Sequence, residues 1–165
     1  MKKFKYSALV LIFFLLSFYL YENYIYYKIP YNPLVEFSTV PIGCKFDINS
    51  SKDTVSSKIN HNLDDNALVF EYFRNLKLIP LKEKKHKDEI YNHEIDIYYS
   101  YVFEFGPPNH YFLIINEIWL DNLTILYISS KKPGFRRGYY KIIDSKFNYK
   151  YVNNLIDKSI NKSYK

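Results

Sequence analysis

The side chains best suited by type to do chemistry are four histidines (His61, His86, His93 and His110), a single cysteine, Cys44, and two acidic pairs, Asp64-Asp65 and Asp88-Glu89. Zinc hydrolysis would use an HExxH helix, and His93-Glu94-Ile95-Asp96 does not have that spacing. On an extended strand His93 and Ile95 share one face while Glu94 and Asp96 take the other, so no ligand set converges locally. Nucleophilic catalysis needs a Ser, Cys or Thr held beside a base. No GxSxG elbow is present, and no nucleophile motif surrounds Cys44. Ile42-Gly43-Cys44 has the glycine of a lipobox, yet Pro41 stands at the Leu-like position and the cysteine lies more than twenty residues beyond the apolar run. Asp64-Asp65 opens a helix, where the dipole accounts for it, and Asp88-Glu89 sits in a charged loop. Glycoside hydrolysis would need carboxyls ~5–9 Å apart across a cleft. With four glycines and neither a P-loop nor a GxGxxG, the motifs imply no nucleotide, metal or other cofactor. Asn49, Asn122 and Asn161 head glycosylation sequons, which matter only in a eukaryotic host.

Charge is distributed more informatively. Residues 45–130 hold nine Lys/Arg and thirteen Asp/Glu, whereas residues 131–165 hold ten Lys/Arg and two acids. Arg136, Arg137, Lys141, Lys146 and Lys150 are interleaved with Phe135, Tyr139, Tyr140, Phe147 and Tyr149. In a cytosolic protein, cations among stacking faces would suit single-stranded nucleic acid. Outside a membrane the available anions are lipid head groups, surface polymers or an acidic protein face. Arg136, Arg137 and Lys141 are therefore the candidate contacts to an anionic partner, with a solvated basic face as the simpler alternative.

These side chains ride on 165 residues, enough for one folded domain. One cysteine excludes an internal disulfide framework. Aromatic residues reach 20%, which the AT-rich codons of Tyr and Phe explain without an aromatic-based function. After the basic opening MKKFK, residues 6–21 (YSALVLIFFLLSFYLY) carry no charge. Those sixteen residues span about 24 Å as a helix, short of a ~30 Å hydrocarbon core, but Lys5 and Glu22 can snorkel outward. Tyr19, Tyr21, Tyr24, Tyr26 and Tyr27 then fall at head-group level. No Ala, Gly, Ser, Thr or Cys lies between Phe18 and Phe37, so signal peptidase has no small-residue site there. An uncleaved signal anchor is the preferred reading; a cleaved, secreted form and a buried core helix are the alternatives. Lys2, Lys3 and Lys5 place the N-terminus in the cytoplasm and the bulk of the chain outside.

Residues 1–27 thus form a cytoplasmic tip and transmembrane helix, and residues 28–44, with Pro30, Pro33 and Pro41, read as an extended stalk. Within residues 45–165 the period changes along the chain. Phe46 and Ile48 alternate in a short strand, and Val55, Ser57 and Ile59 in a weaker one. A helix capped by Asn62 or Asp64 shows Leu68, Val69, Tyr72, Phe73 and Leu76 on one face and stops at Pro80. From Glu94 the period is two, with Ile95, Ile97, Tyr99, Tyr101, Phe103 and Phe105 pointing one way. Further strands cover residues 110–121, 124–129 and 139–143, and a helix after Asn148 carries Tyr149, Val152, Leu155, Ile156 and Ile160. The expected fold is α+β: an N-terminal transmembrane helix, then an antiparallel meander with an internal helix and a C-terminal helix packed on one face.

This order, with the helix ending in NLKLIPL and the strand GYYKI, resembles small domains of unknown function that stand behind signal sequences in AT-rich Gram-positive bacteria. The resemblance covers about residues 45–160 and rests on layout and on pieces such as residues 73–78 and 138–142. It implies an exported α+β domain and carries no active site with it. The expectation is a single-pass membrane protein with an extracytoplasmic binding or sensing module, meeting the membrane and an envelope protein or anionic surface polymer, and not nucleic acid. The alternative is a cell-envelope hydrolase using His, Asp and Glu groups on the meander.

Overall fold

The computed structural model describes residues 2–50, 54–60, 62–82, 97–107, 110–120, 123–143 and 147–163. His61, His86, His93, Asp88-Glu89 and Glu94-Ile95-Asp96 lie outside them. Helix α1 (Lys2–Leu20) takes in the uncharged run and passes into a π turn at Tyr21–Ile25 and a 3-10 turn at Tyr26–Lys28. Leu9–Lys28 is long and apolar enough to span a membrane or act as a signal anchor. Its large side chains over residues 9–20 are 44–66% exposed, so no core built of the described residues covers them, which goes against a buried core helix.

Seven strands make one antiparallel sheet in the order β2-β1-β4-β5-β6-β7-β3. They are β1 (Gly43–Ser50), β2 (Thr54–Asn60), β3 (Leu78–Leu81), β4 (Ile97–Phe105), β5 (Tyr111–Leu120), β6 (Leu123–Ser130) and β7 (Gly138–Ile142). The alternation in β4 does what its period requires: Tyr101, Phe103 and Phe105 are buried while Val102 and Glu104 are half-buried. Register carries that face across the sheet, since Phe46 pairs with Tyr101, Tyr101 with Ile115 and Ile115 with Ile128. Gly134, at φ +76°, allows the turn between β6 and β7.

Helices α2 (Leu63–Arg74) and α3 (Tyr149–Ser163) cover this face. Asn62 caps α2 by accepting from the amides of Asp64 and Asp65 at 3.0 and 3.2 Å. The buried positions are Asp65, Asn66, Val69, Phe70 and Phe73, with Leu76 just beyond the helix; of the expected face only Leu68 departs, standing half exposed, while Phe70 joins it. Phe70 meets Phe103 and Phe73 meets Tyr101, with ring centroids 5.4 and 4.7 Å apart. The helix does not run to Pro80. It ends at Arg74, and Pro80 lies in β3, an edge strand where a missing N–H is tolerated. In α3, Asn148 accepts from the Tyr151 amide at 3.1 Å, and Val152 and Ile156 are buried.

Residues 28–44 are not a free stalk. Leu34 is fully buried and Phe37 is 4% exposed, stacked on Phe105 at 4.6 Å. Asn32 donates from its carboxamide to the carbonyls of Phe73, Arg74 and Leu76 at 2.9, 3.0 and 2.9 Å, and it accepts from the Leu34 amide at 3.0 Å. The Tyr31 amide donates to Leu78 O at 2.8 Å, along the outer side of β3. Pro33 opens a short 3-10 turn, Pro33–Glu36, that Asn32 caps, and the apolar side chains around it find the core. The segment is a strap across the folded unit.

Candidate functional site

The apolar helix and the sheet meet at Arg136. Glu22, the first charge after the uncharged run, receives both guanidinium ends: Nη1 donates to Oε1 at 3.0 Å and Nη2 to Oε2 at 2.6 Å. This fork is the geometry in which an Arg–carboxylate pair is strongest. The π turn closes with the Tyr26 amide on Tyr21 O and brings the Tyr26 ring under the same guanidinium, 3.5 Å from its centroid. Tyr26 is buried, and its hydroxyl shares a 3.4 Å contact with that of Tyr140, which donates to Arg136 O at 2.9 Å. Burial pulls the Arg136 guanidinium down, but Glu22 together with Tyr26 and Tyr27 outweighs it and the group stays above its ordinary range. Burial pushes the Tyr140 and Tyr31 phenols up, so both remain neutral donors at physiological pH.

Beside this node lies a cavity of about 60 Å³ lined by Tyr26, Tyr27, Arg136, Arg137, Gly138 and Tyr139, with Pro80 and Leu81 from β3. Lys82, next in the chain, sits over the rings of Tyr24 and Tyr27 at 5.0 and 5.5 Å. Three cations and several phenols from three distant parts of the sequence therefore meet at the end of the apolar helix.

The three basic residues singled out in the sequence have different surroundings. Arg136 is engaged by Glu22, Arg137 is exposed at the cavity, and Lys141 is half-buried on β7. Alternation along β7 puts Lys141 with Tyr139 on the open face of the sheet, opposite Tyr140. Lys82 was missed because it belongs to the acidic part of the chain. Glu22 was read as a snorkelling residue, and nothing local marks its partner 114 residues away.

Among the described residues, the groups considered for catalysis are dispersed. The Cys44 thiol is buried against the core from β1, and burial pushes it up to about 12, which disfavours the thiolate that a nucleophile needs. His110 Nε2 lies 2.5 Å from Glu104 Oε1, but that pair is 54% and 36% exposed at a strand end. Asp64 is exposed and Asp65 buried, so the two do not face a common site. Among the described residues no three His, Cys, Asp or Glu side chains come together as a metal site. Sequence reading also passed over Glu117, fully buried on the helix-covered face, which accepts from the Tyr101 hydroxyl at 3.3 Å.

Fold and site together define an α+β domain whose antiparallel sheet is joined through a charged and aromatic node to an apolar N-terminal helix. No protein-family model, no curated protein and no solved structure matches the chain.

Proposed function

We propose that this chain is a single-pass membrane protein. Its N-terminus is cytoplasmic, and its α+β domain serves outside as a binding or sensing module without a catalytic role. The observation that carries the reading is the union of the apolar helix with the domain. Glu22 and Tyr26, at the outer end of the helix, are held by Arg136 and Tyr140. A segment discarded after export would have no need of such contacts. Support also comes from the absence of small residues between Phe18 and Phe37, which leaves signal peptidase no site. Orientation follows from Lys2, Lys3 and Lys5 against the balanced Glu22 and Lys28. The resemblance to small exported domains points the same way.

The test is fractionation of the full-length protein from its host. It should stay with membranes after carbonate and high-salt washing and keep its N-terminal residues. Protease added to intact cells should digest the domain and spare the helix. An N-terminus beginning between residues 20 and 45, or a domain protected until the membrane is opened, would overturn the proposal.

A further inference from the structure

We infer that the cavity at the foot of the domain is a binding site for the phosphate of an anionic lipid head group, held by Arg137 and Lys82 among the tyrosines. This inference rests on the membrane-anchor reading above. Its first ground is depth. Residues 6–21 carry no charge, so the hydrocarbon boundary falls near Glu22, and whatever Glu22 touches lies at head-group level. Arg136 touches it, and the cavity is built from Arg136, its neighbours Arg137 and Gly138, and the Tyr26-Tyr27 turn. The cavity therefore opens where lipid phosphates are, without further assumption about the tilt of the domain.

Charge is the second ground. The Glu22 carboxylate satisfies Arg136 in a two-point fork, leaving Arg137 exposed on the wall and Lys82 beside Tyr27 at the rim. Lys28, exposed at the end of the last helical turn, adds a third cation at the same level. Among the described residues at the site, Lys28, Lys82, Arg136 and Arg137 face the carboxylate of Glu22, which leaves them net positive. A phosphodiester supplies acceptor oxygens for the fork of Arg137 and a point charge for Lys82.

Chemistry of the walls is the third. The Tyr24, Tyr26 and Tyr27 rings offer apolar faces toward a glycerol backbone while their hydroxyls stay in the polar zone, which is how tyrosine behaves at a membrane surface. A soluble anion would meet the same cations but would gain nothing from these faces. That difference selects a lipid over free phosphate.

The experiment uses the full-length protein in phosphatidylcholine bilayers containing spin-labelled phosphatidylglycerol or spin-labelled phosphatidylcholine, and reads the motionally restricted share of each. Wild type should prefer phosphatidylglycerol. Each cation near a membrane surface contributes about a fivefold preference, so Lys82→Gln with Arg137→Gln should lower it by about 25-fold or abolish it. Lys82→Arg with Arg137→Lys should retain most of it. Lys45→Gln with Lys150→Gln, which removes equal charge elsewhere, should leave it within about twofold. Near-ultraviolet dichroism identical to wild type confirms that the variants are folded. Equal loss in the two Gln pairs would show general charge attraction and overturn the inference. So would competition by millimolar inorganic phosphate in the buffer, which would mark a site for the free anion. Protein that fails to float with the vesicles refutes the membrane-anchor reading itself; protein that floats without any lipid preference refutes only this site.

Discussion

Replacing Asn32 by Ala tests whether the proline-containing segment is a strap or a tether. The carboxamide has two N–H protons directed at three carbonyls of the α2 terminus, with one shared, and its Oδ1 caps the following 3-10 turn. That amounts to about three net hydrogen bonds at roughly 1 kcal/mol each. Water can reach part of this site and recover some of the loss, so the expected cost is about 2–3 kcal/mol. For a domain of this size each kcal/mol moves the midpoint by about 2–4 °C, which predicts a fall of about 4–12 °C. The assay is thermal unfolding of the full-length protein in detergent, followed by near-ultraviolet dichroism of its packed tyrosines. Asn32→Asp should fall further than Asn32→Ala, because it loses both donors and sets a negative charge against the carbonyl end of α2. Phe37→Ala, at a ring stacked on Phe105 and in contact with Phe70 and Phe135, should cost about 3–5 kcal/mol. Midpoints within about 1 °C of wild type for all three would refute the strap and restore the tether.

Other outcomes follow from the same geometry. A double-mutant cycle on Glu22→Gln and Arg136→Gln should give a coupling of about 1–2 kcal/mol, discounted because each side chain is about one-third exposed; a coupling of zero would mean the helix end is not held. Cys44 should resist alkylation in the folded protein at mildly alkaline pH and react once denaturant is added, since burial holds its thiol near 12; rapid native labelling would contradict its place in the core. Alkaline titration should expose the buried phenols together. Tyr149, raised to about 12 chiefly by burial and then by Tyr99, has a folded pKa above its unfolded value near 10. Its contribution is therefore complete below about pH 10 and lost as pH climbs toward 12. Tyr31, Tyr72, Tyr101 and Tyr140 are raised as well, so phenolate absorbance should show a late cooperative step. A single smooth titration near 10 would count against it.

Some of this protein is determined within a few residues of sequence. The uncharged run has to be an apolar helix, since nothing in it interrupts the helix or gives it a polar face. The β4 alternation has to bury one row, and Asn62 and Asn148 cap helices because their side chains reach amides two or three residues on. These are local interactions, and local pattern reports them faithfully. The inward face of α2 was less legible because Leu68, Val69 and Phe70 are adjacent and all apolar; only the sheet it packs against selects Val69 and Phe70 over Leu68. Strand β3 is four residues around a proline, and it is a strand only because β7 lies beside it. Residues 28–44 announce irregular backbone, but where Leu34 and Phe37 bury themselves depends on a core assembled from residues far along the chain. The site is the extreme case. Glu22, Lys82 and Arg136 sit in segments of different net charge, and sequence spacing is blind to their meeting. A fork between a carboxylate and a guanidinium 114 residues apart is decided by the path of the folded backbone, because the free energy of such a pair depends on distances of a few ångströms that only the tertiary structure sets.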